Sequence, residues 1–263
     1  MIQIAPHITA FLREYLPVQC GASPHTCDSY AYTFQLLFNF ASERFKITPS
    51  ELYLEQIDAP LVMDFLKHIE DERNNSPKTR NARLAAIKSF MHFVEHRVPS
   101  ALDQILHVLA IPSKKTEKLL ITHLSLTEIQ AILNAPDVGT RMGIRDRAMF
   151  HLCFAAALRV SELTSLLLTA VIFHPQPIIR VMGKGRRERS LPLLKQTTAD
   201  IRAWLSVRGS TPAPELFINS RGEPLTRVGV TYLLHKYVKI AETICPSLKE
   251  SKYPHTCYVT LVL

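Results

Sequence analysis

The sequence lacks any long apolar run. Its longest, residues 152–158 (LCFAAAL), is bounded by His151 and Arg159, whereas a membrane-spanning helix needs about 18 or more predominantly apolar residues. The N-terminus, Met1-Ile2-Gln3, does not open a cluster of positive charge followed by an apolar core, which is the pattern of a secretory signal. We therefore expect a protein without a membrane partner.

Cysteine is scarce and scattered. The five cysteines are odd in number and argue for reduced thiols in the cytoplasm rather than a disulfide framework. A metal-dependent hydrolase would have to draw its ligands from His235, Cys245, His255 and Cys257, whose spacing matches no zinc pattern. We therefore predict no metal site and no cofactor.

Acidic residues are outnumbered by basic ones. The chain has 31 Lys and Arg against 23 Asp and Glu, a net charge of +8 over 263 residues. A basic surplus favours polyanions, nucleic acid first and an anionic membrane face second, although many soluble proteins are basic without either partner. The length suits one large domain or two modest ones.

Hydrophobic periodicity divides the chain in two. Apolar residues at helical spacing predict helices over 8–16, 26–45, 61–73 and 78–96. Residues 98–119 have no such periodicity and are interpreted as a linker. Beyond them, the pattern predicts helices from Ser125 and over 145–157, 197–207 and 226–244, and a β-hairpin over 175–193. The sequence therefore predicts a helical domain followed by a mostly helical domain with a small sheet.

Three short motifs follow one another in the second part: ALRVSEL around Arg159, GKGRRER around Lys184, and PHT around His255. Each alone is weak, because an arginine after a buried helix is usually part of an ion pair, a glycine-flanked lysine is usually an exposed turn, and a single histidine is usually structural. In this order and context they resemble the catalytic domain of the tyrosine recombinases, or phage-type integrases. The segment 76–90 also resembles the last helix of that family's core-binding domain.

The resemblance implies a fold and a domain organisation. The fold is mainly α, with two domains: a helical, SAM-like core-binding domain over 1–97, the linker over 98–119, and an α+β catalytic domain with a small antiparallel sheet over 120–263. It implies double-stranded DNA as the partner, self-association on that DNA, and a reaction that needs neither metal nor ATP.

The resemblance also implies roles for particular residues. In this family a tyrosine attacks a DNA phosphodiester, and arginines bind the phosphate because a planar guanidinium matches its charge. Arg159 would be the first of two such arginines, Lys184 the general acid for the leaving 5′-oxygen, and His255 an assisting histidine. We expect two groups of basic residues to contact DNA. In helix 78–96, outside its apolar stripe, they are Lys78, Arg80, Arg83 and Lys88; in the second domain they are Arg186, Arg187 and Arg227.

The family pattern breaks after His255. The family has an arginine three residues after this histidine, where this chain has Tyr258, and the sequence stops at Leu263. Tyr253 and Tyr258 flank the histidine and do not stand where the family places its nucleophile. We therefore expect the recombinase of a mobile element in truncated, inactive form, ended by a frameshift or as a gene fragment. The alternative is a non-catalytic DNA-binding competitor or regulator built from the same domains.

Overall fold

The computed structural model describes residues 1–116, 124–183 and 187–250. They fall into two compact units that divide between Lys118 and Leu119. Within the described ranges, no helix combines the length and the apolarity that crossing a membrane requires. The mainly helical fold with a small antiparallel sheet, predicted from the sequence, is confirmed.

In its described part, the first unit is built from helices, with one isolated β-bridge between Gln3 and Tyr53. A π-helical segment, Phe11–Gln19, continues its first helix, and short 3₁₀ turns lie at Pro49–Glu51 and Leu54–Gln56. The α-helices are α1 (Ile4–Ala10), α2 (Pro24–Phe45), α3 (Ala59–Asp71), α4 (Pro77–Glu95) and α5 (Leu102–Leu109).

Local chemistry sets the starts of α2, α3 and α4. In each, a capping side chain accepts a hydrogen bond from a backbone N–H of the first turn: Ser23 from Thr26, Asp58 from Leu61, and Ser76 from Thr79. Each helix also has a proline in its first two positions, where the missing N–H costs nothing. The helix positions in this unit are therefore fixed largely by sequence-local signals.

Aromatic rings fill the centre of this unit. Phe11 is fully buried, and its ring centroid lies 6.0 Å from that of Phe34, 5.4 Å from that of Phe90 and 5.3 Å from that of Phe93. These contacts join the π-helical segment to α2 and α4 and make one continuous core.

The predicted linker over 98–119 is wrong for its first half. A 3₁₀ turn at Pro99–Ala101 leads into α5, and Ala101, Ile105, Val108 and Ile111 are buried in the first unit's core. Their spacing of three or four residues forms an apolar helix face, but the helix is only eight residues long. The first unit therefore extends well beyond residue 97.

The second unit combines helices with a three-stranded sheet in the order β1-β2-β3. Its α-helices are α6 (Leu126–Asn134), α7 (Arg141–Ala155), α8 (Val160–Thr164), α9 (Lys195–Arg208), α10 (Arg227–Ala241) and α11 (Ser247–Glu250). Its strands are β1 (Val171–Ile172), β2 (Ile178–Met182) and β3 (Glu188–Pro192).

The β2–β3 pair is the predicted hairpin. The β1–β2 and β2–β3 pairings are both antiparallel. Between β2 and β3, Ile179 lies opposite Leu191 and Val181 lies opposite Arg189. Ile179 and Val181 point into the core, as the alternation of a half-buried strand requires. The two-residue β1 was not predicted, because a strand this short gives no periodic signal.

Helix α7 is the central element of the second unit. Its Ala148, Met149 and Leu152 are fully buried, as are Ile201 and Trp204 of α9, against which it packs. The Trp204 indole N–H donates to the Leu216 carbonyl at 2.8 Å. The prediction of a buried helix over 145–157 is thus confirmed in its existence, although the helix begins earlier, at Arg141, and ends earlier, at Ala155.

Two charged residues of α7 are buried as a pair. The Arg145 guanidinium donates to the Asp146 carboxylate at 2.8 Å and to the Ile218 carbonyl at 2.9 Å. The Tyr237 hydroxyl donates to the second Asp146 oxygen at 2.8 Å. The carboxylate is therefore satisfied from both sides and ties α7 to α10.

Candidate active site and nucleic-acid interface

Arg159 emerges at the end of the turn between α7 and α8. Ala157 has a φ of 48°, and the buried Leu158 donates its N–H to the Cys153 carbonyl at 3.2 Å. Arg159 then has extended backbone at the N-cap of α8. The turn leaves its side chain 61% exposed, so the guanidinium is accessible from solvent.

Glu162 orients this arginine. The Glu162 side chain is only 5% exposed, and one of its oxygens accepts from the Arg159 Nη1 at 3.0 Å. Its other oxygen accepts from the Arg159 backbone N–H at 2.9 Å and from the Arg189 Nη2 at 3.0 Å. A buried carboxylate thus fixes both the backbone and the side chain of Arg159.

The same carboxylate lies beside the base of the β2–β3 hairpin. A Cβ placed on Gly183 would lie 3.8 Å from a Glu162 oxygen and 3.7 Å from the Arg189 Nη1. The Gly183 N–H also donates to the Arg187 carbonyl at 2.8 Å. Gly183 directly precedes Lys184 in the sequence. The motif around Arg159 and the motif around Lys184, two of the three that the sequence predicts to be catalytic, therefore both have residues next to Glu162.

Cys153 lies under this site as an inert thiol. Burial raises the pKa of Cys153 to about 11, and the negative charge of Glu162 adds to the effect. A thiol with so high a pKa carries almost no thiolate at neutral pH. The thiol donates to the Leu158 carbonyl at 3.4 Å and offers no competing nucleophile.

Three of the predicted site residues lie outside the described residues: Lys184 and Arg186 in 184–186, and His255 in 251–263. Tyr253 and Tyr258 fall in the same final segment. The described geometry therefore contains Arg159 and its surroundings, together with the hairpin residues on either side of 184–186.

Two basic residues of the second unit stand exposed where the sequence predicts DNA contacts. Arg187 is exposed at the start of the strand that returns from the hairpin turn. Arg227 is exposed at the first position of α10, where Val228 and Tyr232 are also exposed. Both arginines are thus accessible from solvent.

The four predicted DNA contacts of the first unit differ in their surroundings. Lys78 is exposed in the first turn of α4. The Lys88 ammonium donates to the Leu109 carbonyl at 2.6 Å. The Arg83 guanidinium donates to the Thr33 hydroxyl at 2.9 Å and lies 4.9 Å from the centre of the Tyr32 ring. Of these four residues, Lys78 is therefore the one that is exposed.

Arg80 requires a correction. It was predicted outside the apolar stripe of its helix, yet its side chain is only 8% exposed and lies 3.9 Å from the Glu70 carboxylate. It also donates to the Pro112 carbonyl at 3.0 Å. Its guanidinium holds the segment after α5 against α4 and is buried within the first unit.

Sequence reasoning missed Glu162 and Arg189 as site residues. Glu162 had a signal, because a residue three positions after Arg159 lies on the same helix face and can close the first turn. Arg189 had none, since its contact with Glu162 spans 27 residues and depends on the sheet register. Among the described residues, no group of three or more His, Cys, Asp or Glu side chains is arranged to hold a metal ion.

Two sequence profiles match the two units. The phage integrase family matches residues 122–256, and the N-terminal SAM-like domain of phage integrases matches residues 8–98. The chain belongs to the phage integrase family. It is therefore a tyrosine recombinase by descent, and this membership supports a function in site-specific DNA recombination. The family resemblance read from the motifs is confirmed.

Curated relatives agree with this assignment. The present chain is 41% identical to the putative integrase/recombinase y4rC of Sinorhizobium fredii, over 94% of its own length and 74% of the length of y4rC. It is 36% identical to y4rD of the same organism over 96% and 91% of the two chains. It is 33% identical to the tyrosine recombinase XerC of Myxococcus xanthus, over 90% and 78%.

Solved structures share the fold. The XerH site-specific recombinase, in a post-cleavage complex with a palindromic difH substrate, superposes with a TM-score of 0.67 at 18% identity, over 91% of this chain and 68% of that one. The lambda integrase, in a tetramer bound to a Holliday junction, gives a TM-score of 0.64 at 14% identity, over 91% and 64%. At these identities the match establishes the fold alone.

Proposed function

We propose that this tyrosine recombinase is the site-specific recombinase of a mobile element and that it holds double-stranded DNA with both units. The observation that carries the proposal is the Arg159 guanidinium, exposed to solvent yet fixed by the buried Glu162 at the base of the hairpin. A fixed, accessible guanidinium is the group expected to bind a scissile phosphate.

The chemistry assigned to the site follows from charge. Attack on a phosphodiester concentrates negative charge on the phosphoryl oxygens, and Arg159 would bind one or two of them. Lys184, the residue after Gly183, would protonate the leaving 5′-oxygen, and His255 would assist near the same phosphate. The set draws only on side chains of the protein and calls for neither metal nor ATP.

The mobile-element context is supported by the relatives. Two of them carry the name putative integrase/recombinase, and the integrase of the Tn1549 transposon, in complex with a circular intermediate DNA, shares the fold with a TM-score of 0.62. We extend this context to the present chain. Self-association on DNA belongs to the same proposal, since the lambda integrase forms a tetramer on its junction.

A second function is favoured by one residue. Tyr258 stands where the family has its second arginine, and loss of one preorganised donor to a developing oxyanion costs about 3 kcal/mol of transition-state stabilisation. The 263-residue polypeptide would then bind DNA and cleave it at least about a hundredfold more slowly, if at all. Such a protein could act as a competitor or regulator of a complete recombinase.

Two measurements on one preparation separate these functions. The 263-residue protein is incubated with duplexes that carry the sequences flanking its gene. Gel shifts measure binding, and denaturing gels measure covalent protein–DNA adducts. Binding with an adduct supports the recombinase, and binding without an adduct supports the non-catalytic protein. Absence of binding at low salt contradicts both.

The DNA-binding measurement needs a control that tests the Arg159 site separately from the overall positive charge. Arg159→Gln should weaken binding because it removes one charge from the proposed phosphate site, whereas Arg180→Gln should not. Arg180 is an exposed arginine of β2 whose charge is already paired with Glu188 at 3.8 Å. Equal weakening by both variants would indicate a general loss of positive charge and would argue against a phosphate site at Arg159.

A further inference from the structure

The Glu162 carboxylate pairs with two arginines instead of one. Arg159 of the α7–α8 turn lies 3.0 Å from one oxygen, and Arg189 of β3 lies 3.0 Å from the other. The Glu162 side chain is almost completely buried, whereas both arginines reach solvent. One negative and two positive charges leave this cluster with a net charge of +1.

That surplus charge matters for binding an anion. A buried carboxylate needs a cationic partner because water cannot solvate it. If Arg159 were the sole partner of Glu162, the pair would have no net charge. A phosphate would then be attracted only by the weaker field of an ion-pair dipole. With Arg189 satisfying the carboxylate, the Arg159 guanidinium retains its attraction for a phosphate oxygen.

We propose that Arg189 is a positioning residue that neutralises Glu162 and thereby leaves the charge of Arg159 available to the DNA phosphate. The inference rests on the proposed function, because it assigns Arg159 to phosphate binding. It gives the buried acid two tasks, orienting one arginine and holding the other in place.

The surroundings of the cluster support this assignment. Arg180, the other described arginine of the sheet, is paired with Glu188 and adds no net charge. The Arg189 guanidinium also lies beside Gly183, so the residue that balances the charge is on the strand that carries the Lys184 turn back into the sheet. The alternative is that Arg189 only ties β3 to α8 and has no effect on the phosphate site.

Charge compensation distinguishes a role of Arg189 in neutralising Glu162 from a purely structural role. DNA affinity is measured by fluorescence anisotropy with a labelled duplex at low salt for the wild type and for Arg159→Gln, Arg189→Gln, Arg189→Lys, and Arg189→Gln combined with Glu162→Gln. We expect Arg189→Gln to weaken binding roughly tenfold, as Arg159→Gln does, because each removes the surplus charge at one phosphate contact. We expect Arg189→Lys to stay within about threefold of the wild type, since it keeps the charge.

The double variant carries the decisive comparison. Removing Glu162 together with Arg189 restores the net charge of +1, and the amide oxygen left by Glu162→Gln can still accept from the Arg159 backbone N–H, so affinity should rise clearly above that of Arg189→Gln, towards the wild-type value. Arg189→Gln combined with Glu223→Gln is the matched control, because it has the same net charge as the double variant. Glu223 has no contact with Arg159 or Arg189 among the described hydrogen bonds and ion pairs, so its replacement should bring no recovery.

Each failure has its own signature. No binding by the wild type contradicts the proposed function itself. Weakening by Arg159→Gln but not by Arg189→Gln leaves the proposed function intact and overturns the inference. Weakening by Arg189→Gln without recovery in the double variant also overturns it and assigns Arg189 a structural role. Should Arg189→Gln fail to fold, Arg189→Lys decides, and a tenfold loss of affinity in that variant overturns the inference.

Discussion

Arg80 and Lys78 lie two residues apart in α4 but have opposite environments. Arg80 is in register with the apolar residues Leu84 and Ile87, at positions i, i+4 and i+7, and that face is buried. Its charge therefore lies inside the unit, 3.9 Å from the Glu70 carboxylate, and its Nη1 donates to the Pro112 carbonyl. Lys78 lies off this face in solvent. The register of a basic residue thus decides whether its charge serves folding or is available to DNA.

Replacing each of the two with alanine should separate these roles. Arg80→Ala leaves the Pro112 carbonyl without its donor and removes one partner of Glu70, so it should destabilise the first unit by about 1–3 kcal/mol. Lys78→Ala should leave stability unchanged within about 0.5 kcal/mol. Urea unfolding followed by circular dichroism measures this change, and the fluorescence of Trp204, the single tryptophan, reports the second unit. Equal stabilities of the two variants would contradict the internal role of Arg80.

Tyr237 makes the second unit sensitive to alkaline pH. Burial raises the pKa of Tyr237 well above its ordinary value, and the charge of Asp146 and the hydrogen bond to it act in the same direction. An unfolded tyrosine loses its proton near pH 10. Above that pH the unfolded state is deprotonated while the folded state still keeps the proton, so stability falls as the pH rises. Below about pH 10 this contribution is fully present.

The direction of this change in stability with pH can be tested with the variant Tyr237→Phe. The variant loses the hydrogen bond to Asp146 and should be less stable than the wild type by about 1 kcal/mol at neutral pH. It should show a smaller decline between about pH 9 and pH 11, because the titrating hydroxyl is gone. Urea titrations followed by Trp204 fluorescence give both values. Tyr232→Phe, which removes a solvent-exposed ring hydroxyl, should follow the wild-type curve. Parallel declines in Tyr237→Phe and the wild type would contradict the assignment.

At the scale of elements, the sequence was informative wherever signals are local. Helices α2, α3 and α4 were predictable because a cap, a proline and an apolar stripe agree within one segment. Helix α5 was missed because eight residues between prolines give only two turns of periodicity. Of the candidate site, Arg159 was identified by its motif, whereas Arg189 depends on the β2–β3 register and on a carboxylate far away in the sequence.

Helices α7 and α10 begin with the same local motif but differ in packing. In each, a threonine cap accepts from the N–H of a glycine three residues later: Thr140 from Gly143 at 3.0 Å and Thr226 from Gly229 at 3.1 Å. A Cβ on Gly143 would lie 1.8 Å from the Asp137 carbonyl oxygen. A Cβ on Gly229 would lie 3.4 Å from its nearest neighbour, the Thr226 hydroxyl.

This matched pair tests why Gly143 is glycine. Gly143→Ala should destabilise the second unit by at least about 2 kcal/mol, because the backbone of the 137–143 turn must move to admit the methyl group. Gly229→Ala should be neutral or stabilising by up to about 1 kcal/mol, since alanine favours a helix over glycine. Urea unfolding followed by Trp204 fluorescence gives both values. A neutral Gly143→Ala would show that the 137–143 turn yields freely.

At the scale of the whole molecule, two units with separate cores carry basic residues suited to one long polyanion. The first unit exposes Lys78 and the second exposes Arg187 and Arg227, and the chain as a whole has a net charge of +8. Each phosphate neutralised by a cationic side chain releases counterions, so the number of contacts can be read from the salt dependence of binding. That number reports on the whole interface and needs no knowledge of the target sequence.

Salt dependence should therefore reveal whether both units hold the same duplex. The slope of log K against log salt is about −0.9 for each phosphate contact, and each contact removed lowers its magnitude by about one. Lys78→Ala in the first unit and Arg227→Ala in the second should each reduce the slope by about one, and the double variant by about two, because the contacts are independent. Fluorescence anisotropy over a salt series measures all four slopes. If only Arg227→Ala changed the slope, Lys78 would be a solvated surface lysine without a phosphate contact, and the proposal would lose the exposed residue that assigns DNA binding to the first unit.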